Sequence, residues 1–541
     1  MRIDNFAIGI DYGTESGRVV VARVRNGELA GQAVVPYPDG VIDERLPGGA
    51  RLEPDWALQN PRDYLRVVEH GVPRALKEAG VKAEQVIGLG TDFTASSPLP
   101  ALADGTPLCF VPKYRKHPHA WVKLWKHHAA QAEANRINEV GRERNEDFIR
   151  IYGGRYSSEW FFSKLLQILD EAPAVYHASE RFIEAADWIV WQLTGEEKRN
   201  TCTAGYKAMW VKGRGFPSPD FFCAVKPGFE TALAKLSETY YPLGVRAGGL
   251  TAEWARKTGL KAGTPVSIGN VDAHVAVPAC TVTGPGSMVM IMGTSICHLL
   301  LGTERQMVEG MCGTVEDGVV PGLWGYEAGQ SAVGDIFAWF FEHGVPDYIQ
   351  REARKLKVPV TEVLERRAAA LKPGASGLLA LDWWNGNRSI LVDVDLSGVI
   401  LGLTLASRAE ETYRALIEAT AYGTRQIIEA FNAKGIAVKE LVACGGLPER
   451  NPLLMQIYAD VTGLEIKLAN PLMTCSALGS AMHGAVAAGL EAGGYATIFD
   501  AAQRMAHVQR KSYRPNAARH EVYNLLFKEY QTLHDYFGRG A

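Results

Sequence analysis

The sequence predicts an α/β protein built from two related halves that face a cleft. Strand-like runs at 86–90, 265–268 and 440–444 each end in a polar or glycine-rich turn and alternate with amphipathic helical stretches, the pattern of α/β architectures. A strand–turn–strand unit occurs in each half: FAIGIDYGTESGRVVV from Phe6 and SMVMIMGTSICHLLL from Ser287, both hairpin signals. The chain of 541 residues is also too long for one ordinary core. Turn formers cluster at Thr283-Gly284-Pro285-Gly286, which sets the expected boundary between domains 1–283 and 284–541, with a helical extension from about 490.

The first run, Phe6-Ala7-Ile8-Gly9-Ile10, follows a start that carries Arg2 and Asp4, so it reads as a core strand and not as a signal peptide. Asp11 ends that strand, and Gly13, Thr14, Ser16, Gly17 and Arg18 follow. Glycines let backbone amides approach a phosphate, hydroxyls add donors, and a strand-end carboxylate can hold Mg²⁺ through water. The same residues also suit a hairpin turn with no ligand.

The segment 113–128, KYRKHPHAWVKLWKHH, interleaves basic residues with Tyr114, Trp121 and Trp125. It is expected to wall a polar-substrate pocket. One short patch in a chain of net charge −3 makes a poor nucleic-acid site, and the adjacent His127 and His128 make a poor metal pair. Lys207 lies in AGYKAMW, where an unpaired ammonium would be costly.

The run 265–268 leads into Gly269-Asn270-Val271-Asp272-Ala273-His274. Ligands of open α/β sheets bind at the carboxyl ends of strands, and a carboxylate there can accept a hydroxyl proton. A lone Asp is otherwise an Asx turn or a helix cap, and His274 reads as structural. Gly293-Thr294-Ser295 is the turn of the second hairpin. Ser407 and Glu410 make a capping-box pattern, after which Tyr413, Leu416, Ile417, Thr420, Ile427 and Phe431 share a helix face. Gly445-Gly446 follows the run 440–444 and can present amides to a phosphate. It is not G-x-G-x-x-G, and the dipeptide Gly-Lys is absent from the sequence, which excludes the Rossmann fingerprint and the P-loop.

Hydrophobic residues make up 47% and charged residues 22% of the chain, an ordinary globular composition. No apolar run approaches the length of a bilayer span, and there is no global field to attract nucleic acid or a membrane. The eight cysteines are scattered without a C-x-x-C pair, as expected of reduced thiols in a cytoplasmic protein without a disulfide framework or zinc site.

Together these residues resemble the FGGY family of carbohydrate kinases, within the actin/hexokinase/Hsp70-type ATPase superfamily, from about Ala7 to about Gly489. IGIDYGTESGR resembles the first phosphate motif, IMGTS the second, and ACGGLPERN the adenosine loop. GNVDAH resembles the segment bearing the family's catalytic aspartate, and SGVILGLTL with YRALIEATAYGTRQ resembles its C-terminal signature. The stretches GTDFTASSPLPALADGTPLC, PHAWVKLWKHHAAQ and YGGRYSSEWFFSKLLQIL are most similar to the family's ketopentose kinases.

The resemblance implies two RNase H-like domains flanking a catalytic cleft. It implies ATP- and Mg²⁺-dependent phosphorylation of L-ribulose at O5, in L-arabinose breakdown, with D-ribulose and related pentitols as further substrates. By the same resemblance Asp11 organises Mg²⁺ through water and Asp272 is the base. Thr14, Ser16, Arg18, Gly293, Thr294, Gly334, Gly445, Gly446 and Asn451 lie along the nucleotide. Asp92, Ala95, Ser96, Lys207, Asp272 and Glu327 line the sugar. The adenosine loop, with Leu447-Pro448-Glu449-Arg450 before Asn451, is one residue longer than in glycerol-kinase-like members. Sugar and ATP are the expected partners, and a homodimer is among the assemblies left open. The alternatives are a kinase for another ketopentose or pentitol, a chaperone or filament ATPase of the superfamily, and a sugar-binding regulator without catalysis.

Overall fold

The computed structural model describes residues 4–540. The first sheet contains β1 (Phe6–Tyr12), β2 (Ser16–Arg23), β3 (Leu29–Pro36), β4 (Val86–Phe93), β5 (Arg246–Gly249), β6 (Pro265–Ser267) and the short β7 (Asn270–Val271). Its order is β5-β6-β4-β1-β2-β3, with β7 paired to β4. The second sheet contains β8 (Ser287–Met292), β9 (Ile296–Gly302), β10 (Gly313–Glu316), β11 (Trp324–Gln330), β12 (Glu440–Cys444), β13 (Ile466–Asn470) and β14 (His507–Tyr513). Its order is β10-β11-β9-β8-β12-β13-β14.

Apart from the extra edge strand β10, the two sheets follow one plan. An antiparallel hairpin, β1–β2 or β8–β9, is joined on one side by an antiparallel strand. On the other side it meets a parallel strand, β4 or β12. The internal echo read from the two hairpins is therefore a repeat of whole sheets. β1 is buried on both faces apart from Asp11, which explains its near-continuous apolar run.

Seven helices position the site: α1 (Phe161–Glu171), α2 (Thr201–Lys207), α3 (Asp272–Ala279), α4 (Gly334–His343), α5 (Ala409–Ala433), α6 (Gly446–Arg450) and α7 (Cys475–Ala488). The turn Thr283-Gly284-Pro285-Gly286 lies between α3 and β8. The second half nevertheless reaches the first sheet, because α7 lies directly on β1 and β4. A Cβ at Gly9 would stand 1.7 Å from the Ala477 carbonyl oxygen, and one at Gly90 would stand 2.0 Å from that of Ser480. These two glycines set how closely the halves join. Gly9→Ala is expected to cost about 2–3 kcal/mol through overpacking, read as a lower urea midpoint with unchanged slope.

Two expectations are corrected. α5 begins at Ala409, one residue later than a Ser407 cap requires, and Glu411, not Glu410, accepts from the Arg408 amide at 2.8 Å. Ser407 instead accepts from the Thr404 amide. The face named for this helix is buried, from Tyr413 to Phe431. The extension after about 490 is not wholly helical. It contributes β14, which completes the second sheet against β13, followed by a helix at Ala517–Arg539. β14 reads HVQRKSY, and its mostly polar, solvent-facing side chains hide the strand.

Candidate active site

Three carboxylates stand at the carboxyl ends of neighbouring strands. Asp11 on β1 pairs in register with Asp92 on β4, and Asn270 on β7 pairs with Asp92 from the other side. Asp272, two residues on, opens α3 and accepts from the Ala273 amide at 2.7 Å. Arg18 on β2 reaches Asp11 at 3.5 Å. Asp92 is fully buried and accepts from the Ser480 hydroxyl of α7 at 2.5 Å.

All three carboxyls are pushed up. Burial raises Asp11 against the lowering charge of Arg18. Burial and then the Asp11 charge raise Asp92 well above the usual range. The same two causes push Asp272 up to about 7. Two charges in one poorly hydrated site disfavour each other's ionisation. A cluster of hard oxygen donors whose charges repel fits Mg²⁺.

Lys207 ends α2 and meets Glu327 of β11. Its ammonium donates to both carboxylate oxygens at 2.9 and 3.1 Å and lies 5.4 Å from the Trp160 ring centroid. The partner that the apolar setting of Lys207 demanded is thus Glu327. Burial opposes the charge on both groups, but each favours the ion of the other. The Glu327 carboxyl is held far below its ordinary range and the Lys207 ammonium above its own. His274 Nε2 stands 3.3 Å from Glu327, without hydrogen-bond alignment.

The segment Thr94-Ala95-Ser96-Ser97 follows β4. Ser96 has φ +61 and is buried. A fully buried lysine, Lys164 of α1, donates to the carbonyls of Ser96 and Leu124 at 2.7 and 2.8 Å. Glu184 accepts from the Ser97 amide at 2.9 Å. Burial first, with Glu184 opposing it, pulls Lys164 down to about 7. The Ser96 hydroxyl has no partner within the protein.

The two hairpin turns differ in what they touch. Thr14 accepts from Trp125 Nε1 at 3.1 Å, so the basic–aromatic segment reaches the first turn. In the second turn Gly334, the first residue of α4, packs so closely that a Cβ would stand 2.6 Å from the Gly293 carbonyl oxygen. The Val333 amide donates to Thr294 at 2.9 Å. Gly445 has φ +99, and a Cβ there would stand 2.4 Å from the Met292 carbonyl oxygen. Only glycine satisfies both constraints. Gly446 then opens α6. Arg18 also donates to the Met473 carbonyl at 3.3 Å, linking the first hairpin to the segment beside Gly446.

Some of the expected residues have partners within the protein. Asn451 donates to the Tyr413 hydroxyl at 2.9 Å and accepts from the Leu454 amide at 2.8 Å, so its amide is committed to a helix cap. Lys123 and His127 of the basic–aromatic segment are buried and share Gln167, with Lys123 also 4.2 Å from the Trp56 ring centroid. Their polar groups are thus partnered within the protein. Arg388 was not singled out by any sequence motif. Its guanidinium lies 3.7 Å from Glu159, and the charges of Glu159 and Glu327 hold it protonated despite burial. Its loop, WNGNRS, has no periodicity to mark it.

Among the described residues no helix is long and apolar enough to cross a membrane. The model of the FGGY family of carbohydrate kinases, N-terminal domain, matches residues 6–278, and that of the C-terminal domain matches residues 288–488. A ribulokinase of Shouchella clausii is 58% identical over 537 residues, covering 99% of this chain and 96% of its own. A ribulokinase of Geobacillus thermodenitrificans is 57% identical over 537 residues, covering 99% and 95%. The crystal structure of xylulose kinase from Rhodospirillum rubrum superposes with a TM-score of 0.78 at 22% identity, covering 98% of each chain. Through both domain matches and these relatives, the chain belongs to the FGGY family of carbohydrate kinases.

Proposed function

We propose that this chain catalyses the ribulokinase reaction, transferring the γ-phosphoryl group of ATP to O5 of L-ribulose, as a cytoplasmic enzyme. The observation that carries the kinase reading is the placement of Asp272. It stands beside Asp11 at the strand ends, within reach of the charges of Glu327 and Lys207. Full-length relatives above half identity that bear the name ribulokinase support the substrate. Eight free thiols suit a reducing compartment.

In this reading residues 1–283 bind the sugar and carry the base, while residues 284–541 supply most of the nucleotide contacts. The Lys207–Glu327 pair and the Ser96 hydroxyl orient the sugar hydroxyls. Lys164 and Glu184 hold the Ser96 segment in place by its backbone. Asp272 accepts the proton of the attacking hydroxyl as the new P–O bond forms. Backbone amides of the Gly293–Thr294–Ser295 turn and of Gly445–Gly446 donate to the phosphates. Asp11, with the neighbouring carboxylates, would hold Mg²⁺, which when bound neutralises phosphate charge. Closure of the halves excludes water.

The test is ADP release by the purified chain against L-ribulose, D-ribulose, other ketopentoses, ketohexoses, pentitols and glycerol. The highest kcat/KM is expected for L-ribulose. A strong preference for D-ribulose or a pentitol would reassign the substrate, and ADP release independent of any sugar would remove the kinase reading.

A further inference from the structure

Three of the eight cysteines, far apart in sequence, converge where the halves join. Cys280 follows the last residue of α3, Cys444 is the last residue of β12, and Cys475 is the first residue of α7. Their sulfurs lie within 4.8 Å of one another, and the residues are 0, 2 and 3% exposed. The surroundings are apolar, with Val277, Val442, Ala469 and Leu478 in the same cluster. Cys475 donates to the Pro471 carbonyl at 2.8 Å.

Among the described residues no histidine, carboxylate or further cysteine joins the three. A structural zinc site needs four such ligands. A divalent ion on three thiolates would also leave a net negative charge in an apolar core, which is costly. A trivalent thiophile on three thiolates is neutral and needs no fourth ligand.

We propose that Cys280, Cys444 and Cys475 form a three-thiolate site for a trivalent thiophile of the arsenous acid class, and that its occupancy locks the active-site cleft. The exchange is As(OH)₃ + 3 RSH → As(SR)₃ + 3 H₂O. Three S–H and three As–OH bonds break, three As–S bonds form, and each thiol proton leaves with a hydroxide as water. Nothing is oxidised or reduced.

The segment Pro471-Leu472-Met473-Thr474 runs from β13 to Cys475, and its Met473 is 37% exposed. That segment accepts from the Gly445 amide at Leu472 and from Arg18 at Met473. The bound ion would tie together the helix that Asp272 opens, the strand that leads into Gly445-Gly446 and the helix that lies on the first sheet. The locking clause rests on the proposed kinase reading, whereas the binding clause does not.

The experiment uses the reduced full-length chain incubated with sodium arsenite, desalted and weighed by native mass spectrometry. One arsenic per chain is expected, retained with the loss of three waters. Cys280→Ala and Cys475→Ala should each lose retention, with a thermal melt to verify folding. Arsenite should abolish ADP release by the unsubstituted chain, and a small dithiol should restore it. Cys280→Ala should keep its turnover in arsenite.

No retained arsenic would overturn the site. So would retention that persists in both variants but disappears in Cys312→Ala, because the Cys297 and Cys312 thiols both lie within reach of the Glu327 charge. Zn²⁺ retained in preference to arsenite would overturn the ion class. Arsenic bound at these three sulfurs without inhibition would overturn the lock alone. A chain that turns over no sugar at all would fail the kinase reading while mass spectrometry still decides the site.

Discussion

Asp272→Asn is expected to lower kcat by about 10²–10⁴-fold, with sugar affinity, read by calorimetry, little changed. The amide fills the same space but cannot take a proton, so the loss falls on the chemical step. The pH dependence follows from the burial and the Asp11 charge that push this carboxyl up to about 7. The base acts as the carboxylate, so kcat/KM should rise as pH increases through about 7 and fall on the acid side. The residual activity of Asp272→Asn should lack that limb.

Stability should move the other way. A carboxyl raised in the folded chain above its ordinary 3.8 favours folding in acid, and that contribution is lost as pH rises through about 7. Asp272→Asn should therefore be more stable than the unsubstituted chain near pH 8, by about 1 kcal/mol or more, and equally stable near pH 3. Unchanged turnover in this variant would remove Asp272 from the role of base.

Lys207→Met is expected to cost about 3–5 kcal/mol in urea unfolding. It leaves Glu327 buried without its ammonium partner, with His274 across an unaligned 3.3 Å. Glu327→Gln should cost less, because an uncharged amide is left and the Trp160 ring still faces the ammonium. The double variant Lys207→Met/Glu327→Gln should recover much of the first loss, since removing both charges removes the orphan. Near-additive losses would mean that the pair is hydrated and worth little. Sugar KM should rise in every one of these variants, because the pair is proposed to orient the substrate.

The two hairpins, the parallel strands 86–90 and 440–444 and the apolar face from Tyr413 to Phe431 were legible because each rests on contacts between near neighbours in the chain. Apolar periodicity and turn chemistry carry such contacts directly. Asp11 and Asp272 were legible for a related reason, since each follows a readable strand and lies at its carboxyl end. β14 was not, because an edge strand with one wet face carries no apolar run. The Ser407 cap failed by one residue, a shift that pattern cannot resolve when two acidic residues, Glu410 and Glu411, stand side by side.

Local pattern thus set the repeated α/β plan, the glycine turns and the strand-end carboxylates. Long-range packing set what those groups meet. Ser480 reaches Asp92 across 388 residues of sequence, Glu327 reaches Lys207 across 120, and three scattered sulfurs meet where α7 lies on glycines of the first sheet. The physical reason is that a partner's charge and the exclusion of water, which decide whether a buried lysine is paired and whether an aspartate ionises near pH 4 or near 7, are properties of the assembled interior. They are fixed only when the two halves close over the same few residues.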